Sequence, residues 1–255
     1  MKSKPTIKIA FALILTSLLV IGCGPSRRQR LAITYVIDMT ASVDNEAIMQ
    51  AFAAIKPLLN SRTFKRGDSI TIIPITGDTL TESQGKILRI HLNENRQVYD
   101  ADLTKLANEV EEQLKRMQTE ATANPYQHSD ILGAADLAAE ELSNEKGNVT
   151  KVIVILSDLI QDDSRLNFNT SPDLASDRAA IGLVKKLSAN RKDNFARTNV
   201  YLGLLRSIDL KKMPSARREA VQSFWREYFN SCNAQSVVLA IDGTGNLASA
   251  IERTE

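Results

Sequence analysis

The sequence predicts a doubly wound α/β fold: a mostly parallel six-stranded sheet with one antiparallel edge strand. Six apolar, β-branched runs, at 31–37, 69–75, 86–92, 149–156, 199–205 and 236–241, have the length and composition of strands. Segments with apolar residues at helical spacing lie between most of them, and such alternation calls for parallel pairing with helices on both faces. The link between the second and third runs, 76–85, is too short for a crossover helix, so the third strand must run backwards at an edge.

Taken in order, the first strand leads into a helix carrying Val43, Ala47, Phe52, Ile55 and Leu59 on one face. After the second and third strands come two helical stretches, 98–117 and 131–142, then the fourth strand. Helical segments at 173–187 and 217–229 flank the fifth strand, and the second of them holds Phe224, Trp225, Tyr228 and Phe229, four of the thirteen aromatics. Core packing against the sheet is the reading for that cluster, with Trp225 an interface candidate only if exposed. The polar stretch 159–172 follows the fourth strand directly and is the expected specificity loop. Gly243, Thr244, Gly245 and Asn246 resemble part of a dinucleotide loop but follow the last strand, which leaves a turn into a final helix.

A strand order of 3-2-1-4-5-6 makes the first and fourth strands neighbours where the winding reverses, and ligands bind outside the carboxyl ends of such strands. Asp38, Thr40 and Ser42 follow the first run at every second position, and Asp158 follows the fourth. Together they describe an oxygen-lined cup for a hard divalent cation such as Mg²⁺, which takes about six oxygens and keeps several waters.

The N-terminus has a different character. Lys2, Lys4 and Lys8 precede the apolar run 9–21, which is the layout of an export signal. Val20-Ile21-Gly22-Cys23 resembles the lipobox of bacterial lipoproteins, which implies lipid on Cys23, a leader at 1–22, a tether at 23–30 and one domain at 31–255. It further implies a bacterial cell-envelope location, with Gly24 after the cysteine favouring transfer to an outer membrane where the cell has one. Without the leader, 29 Lys and Arg stand against 30 acids, a net charge of about −1. That balance gives no support to nucleic-acid binding. Arg27, Arg28 and Arg30 would lie near acidic headgroups beside a lipid anchor. Cys232 then has no disulfide partner and reads as a buried small residue.

The residues of the cup resemble the metal-ion-dependent adhesion site (MIDAS) of the von Willebrand factor A family, a D-x-S-x-S element followed by a distant Thr and a distant Asp. Asp38-Met39-Thr40-Ala41-Ser42 fits the first element with Thr for the first Ser, Ser129 fits the distant hydroxyl, and Asp158 fits the last carboxylate. The resemblance implies that Thr40, Ser42 and Ser129 ligate Mg²⁺ (or Mn²⁺ or Ca²⁺) directly or nearly so, while Asp38 and Asp158 act largely through water. It also implies a binding module rather than an enzyme, in which a protein partner's acidic side chain completes the metal shell. Gln127 and His128 stand where the family often has glycines.

Competing readings remain open on residues alone. Ser42 and Ser129 could be helix N-caps, leaving a metal-independent envelope lipoprotein. A metal-dependent hydrolase would need a base, for which Asp130, Asp162, Asp163 and His128 are the candidates. His91 and His128 are the only histidines, so a His-rich zinc site is excluded.

Overall fold

The computed structural model describes residues 29–56, 59, 63–240, 247 and 251. The expected leader, Cys23 and the tether as far as residue 28 lie outside these, as does the 243–248 turn apart from Leu247.

Six strands form one sheet in the order β3-β2-β1-β4-β5-β6. They span β1 Arg30–Asp38, β2 Ser69–Ile75, β3 Leu88–His91, β4 Val149–Ser157, β5 Thr198–Leu204 and β6 Ser236–Ala240. All neighbours pair in parallel except β3, which runs against β2 with Ile70 opposite Ile90. The helices are α1 Asn45–Ile55, α2 Thr79–Glu82, α3 Asp100–Ala123, α4 Ile131–Ser143, α5 Asp177–Ser188, α6 Ile208–Lys212 and α7 Ser215–Ser231. The short helices α2 and α6 were not expected from the periodicity, since four or five residues are too few to display it.

Burial on both faces explains why the strands read as continuous apolar runs. Leu31, Ile33, Tyr35 and Ile37 of β1 point to one core with Ile48 and Phe52 of α1 and Val110 and Leu114 of α3. Ala32 and Val36 point to the other, with Ala134 and Ala138 of α4, Leu183 of α5 and Trp225 of α7. Among the described residues, every member of the two cores lies between Leu31 and Ile251.

Trp225 is fully buried and its Nε1 donates to the Leu159 carbonyl at 2.7 Å, which settles its role as core. Phe168 packs edge-on against Phe224 at 4.8 Å between ring centres. Phe168 belongs to the 159–172 stretch, and Leu159, Ile160 and Gln161 are buried too. The 159–172 stretch is more packed than its polar composition suggests: its apolar residues anchor it to the α7 aromatics, and Ser164, Arg165 and Thr170 are exposed. Cys232 is a free, buried thiol, pushed up to about 11 chiefly by burial.

Candidate metal centre

The cup is built at the carboxyl ends of β1 and β4, which are paired from Arg30 opposite Val149 through Ile37 opposite Leu156. Asp38, the last residue of β1, accepts from the Thr40 amide at 3.0 Å and the Thr40 hydroxyl at 2.6 Å. The turn after the strand thus folds back on the carboxylate and brings Thr40 Oγ1 within 3.3 Å of Ser42 Oγ. Ser129 comes from the distant loop before α4, and its hydroxyl donates to Thr40 Oγ1 at 2.9 Å. Asp158 closes the ring with Oδ2 3.5 Å from Ser42 Oγ. All five residues singled out in the sequence meet in one connected cluster.

The backbone around them is held from several sides. Ala41 N donates to the Tyr126 carbonyl at 3.0 Å, and Ser129 exchanges amide bonds with Asp162 at 2.8 and 2.9 Å. Asp44, not Ser42, caps α1 by accepting from Glu46 N at 3.1 Å. Asp130, not Ser129, caps α4 by accepting from Gly133 N at 2.9 Å. The N-cap reading of the two serines is therefore corrected, and both hydroxyls are left to face the cup.

Three residues that the sequence reading passed over support the site. Ser157 Oγ donates to Asp38 Oδ2 at 2.6 Å and accepts from Leu159 N at 2.9 Å, coupling the end of β4 to the β1 carboxylate. Ser207 bonds the Asp158 side chain, and Gln161 bridges Asp130 and the Leu132 amide. Ser157 sits directly before Asp158, and that adjacency was its one signal in the sequence.

The electrostatics fit a cation. Asp38 and Asp158 are fully buried, and neither pairs with a cationic side chain among the described residues. Burial raises the Asp38 carboxyl above its ordinary range, against the hydrogen bonds from Ser157 and Thr40. Asp158 is pushed up to about 7, first by burial and next by the charge of Asp38. Two desolvated carboxylates facing each other are costly unless a positive charge offsets them. Three hydroxyls and two carboxylates form an all-oxygen donor set suited to Mg²⁺ or Mn²⁺. Among the described residues no three His, Cys, Asp or Glu side chains cluster as a metal cage, so any ion here would lean on hydroxyls.

The bases that a hydrolytic site would need are bonded elsewhere. Asp130 caps α4, Asp163 holds Arg165 at 2.8 Å, and Asp162 takes Asn167 at 2.7 Å and His128 at 3.2 Å. Beside Thr40, a groove of about 200 Å³ opens between α1 and the end of α3, with Met39, Val43, Ile48 and Ala121 among its lining.

No protein-family model and no curated protein matches the sequence. Among solved structures, the pilus adhesin SpaC from Lactobacillus rhamnosus GG superposes over 90% of this chain with a TM-score of 0.50 and 12% identity. Manganese-loaded TRAP protein from Plasmodium vivax gives a TM-score of 0.46 and 12% identity over 89% of this chain and 73% of its own. A von Willebrand factor type A protein from Catenulispora acidiphila gives 0.45 and 16% identity over 89% of this chain and 42% of its own. This chain spans about a third (31%) of the length of SpaC. With this strand order, the reversed edge strand and the match to SpaC, the chain has a von Willebrand factor A-like fold.

Proposed function

We propose that the chain is an exported, lipid-anchored binding module that holds a divalent cation in the Asp38, Thr40, Ser42, Ser129 and Asp158 cup and uses it to recognise a protein partner. The observation that carries this reading is a pair of fully buried carboxylates without a cationic partner among the described residues, ringed by hydroxyls from the loop after β1 and the loop before α4. Thr40, Ser42 and Ser129 would hold the ion, with Asp38 and Asp158 neutralising it, in part through water. The bound ion would supply a Lewis-acidic position for an acidic side chain of the partner. Ser42 is half-buried and Ala41 exposed, so a partner's carboxylate has its approach there. The manganese in the TRAP structure belongs to that protein. The lipid on Cys23 and the envelope location belong to this proposal as well.

The test is thermal melting of the chain from Gly24 onward with millimolar Mg²⁺ or Mn²⁺. A ligand bound only by the native state at a hundred times its Kd stabilises by about 2.7 kcal/mol. Wild type should shift upward, while Asp38→Ala and Ser129→Ala should not. Ser129→Ala keeps both carboxylates and serves if Asp38→Ala fails to fold. An unshifted wild type, or an equal shift in Ser129→Ala, rules the site out. Loss of labelled-palmitate incorporation in the full chain carrying Cys23→Ser tests the anchor separately.

A further inference from the structure

At the end of the sheet opposite the cup, the loops leading into the parallel strands carry unpaired cations. Arg66 precedes β2, Lys146 precedes β4, Lys185 and Lys186 lie in the last turn of α5, and Lys192 and Arg197 lie in the loop to β5. All six are exposed, and none pairs with an acid among the described residues. The cations of this end that do pair are others: Arg30 with Glu94, Arg96 with Asp102 and Arg191 with Asp136. Its exposed acids are Glu94, Asp100, Glu140 in the last turn of α4, and Asp193, and Glu94 is already neutralised by Arg30.

This excess is local, because the chain without residues 1–22 has a net charge of about −1. The cup end carries both signs: Glu46 and Asp163 pair there with Arg206 and Arg165, and exposed Asp78 and Glu82 stand with exposed Lys211 and Lys212. The chain also enters the sheet at the cationic end, through Gln29 and Arg30, and behind them in sequence stand Arg28, Arg27 and the apolar run 9–21. A cleft of about 990 Å³ that includes Arg30, Lys65, Arg66 and Glu94 in its lining opens on the same end.

We propose that this end is a docking face for an anionic lipid surface, which the loops before β2, β4 and β5 engage together. A flat, negatively charged partner can meet cations spread over a whole end of the molecule, whereas a nucleic-acid duplex is met by a stripe or a single face. Each cation close to an anionic membrane strengthens binding about fivefold, within a Debye length of its surface. The nine residues of β1, at roughly 3.3 Å each, hold the cup about 30 Å away on the far side. Docking in this pose leaves the cup facing outward. The inference does not depend on the cup holding a metal.

The experiment is vesicle sedimentation of the chain from Gly24 onward, so that neither lipid nor leader contributes. Vesicles containing about 30% phosphatidylglycerol should retain it at low salt and release it as salt rises, and pure phosphatidylcholine should not retain it. Lys146→Glu with Lys192→Glu and Arg197→Glu should weaken binding at least tenfold with an unchanged melting temperature. Lys211→Glu with Lys212→Glu, a reversal at the cup end, should leave binding within twofold. Equal weakening by the two sets, no preference for the anionic vesicles, or stronger retention by duplex DNA than by the vesicles would overturn the proposal.

Discussion

Asp158 couples the chemistry of the cup to the stability of the fold. Its folded carboxyl titrates near 7, raised by burial and by Asp38, against an ordinary 3.8. Between those values the native chain holds a proton that the unfolded chain has released, so stability must fall as pH rises through that window. In the cation-free protein, urea denaturation should give a lower unfolding free energy at pH 7 than at pH 5. Asp158→Asn, which carries no charge at either pH, should reduce that slope and leave the part that the buried Asp38 carboxyl contributes; a slope identical in wild type and variant would show that the Asp158 carboxyl titrates normally. Tyr35 offers a second test, because its hydroxyl is fully buried without a hydrogen-bond partner among the described residues and burial raises its pKa. A buried hydroxyl without a partner costs about 1–3 kcal/mol, so Tyr35→Phe should match or exceed wild-type stability by roughly 1 kcal/mol. A loss of that size instead would mean that the hydroxyl is bonded. Four of the five cup residues were legible in the sequence because alternation after a strand and a carboxylate ending the neighbouring strand are local patterns, whereas Ser129 came only from the resemblance to the von Willebrand factor A site. Ser207 and the bridging amide of Gln161 were not, since their partners, Asp158 and Asp130, are chosen by tertiary packing.

Among the elements, α4 depends most on a single small residue. A Cβ added at Gly133 would overlap the Asp130 carboxylate, the same group that caps the helix and also accepts from Gln161 Nε2 at 3.3 Å and Thr79 N at 3.4 Å. The usual gain of up to about 1 kcal/mol for replacing a helical glycine by alanine is therefore outweighed by displacement of the cap. Gly133→Ala should destabilise by about 1–3 kcal/mol, measured by denaturant titration. In an Asp130→Ser background, where the shorter side chain clears the new methyl, the same change should cost much less. Equal costs in both backgrounds would place the strain elsewhere. The long strands and helices, and the reversal of β3, followed from period and connection length. Element ends shifted by a few residues where side chains decided: the 173–187 segment divides into a 3₁₀ turn at Pro172–Leu174 and α5 from Asp177, because Ser171 and Ser176 each cap a separate start. The 159–172 stretch misled for a related reason. Its polar composition hides Leu159 in a left-handed conformation (φ 62°), bonded by Trp225 and Ser157, and buried Ile160 and Phe168, the latter tied back by its amide to the Gln161 carbonyl at 2.8 Å.

At the scale of the whole molecule, β1 joins two polar clusters that never touch. One end is the cup. At the other, Arg30 donates to Glu94 at 2.8 Å, to the Gly67 carbonyl at 3.5 Å and to the Lys146 carbonyl, tying the loops before β2 and β4 to the start of the strand. Nine residues at roughly 3.3 Å separate the two clusters by about 30 Å, well beyond the distance at which mutational effects usually couple. Arg30→Ala should lower stability by about 1 kcal/mol, because it frees the partly buried Gly67 carbonyl along with the exposed Lys146 carbonyl. The Mg²⁺-induced melting shift proposed for the cup should remain unchanged in that variant. Combining Arg30→Ala with Ser129→Ala should give the sum of the single effects within about 0.5 kcal/mol. The cation's contribution should also appear as a shift of one cooperative transition rather than as local protection, since the cup joins the ends of β1 and β4, the two central strands, to the loop before α4. At 2–4 °C per kcal/mol for a domain of this size, saturation near a hundred times Kd raises the melting temperature by roughly 5–10 °C. A cation response that disappears in Arg30→Ala, or a melting profile that splits in two on adding Mg²⁺, would mean that the ends are coupled through something other than a rigid sheet.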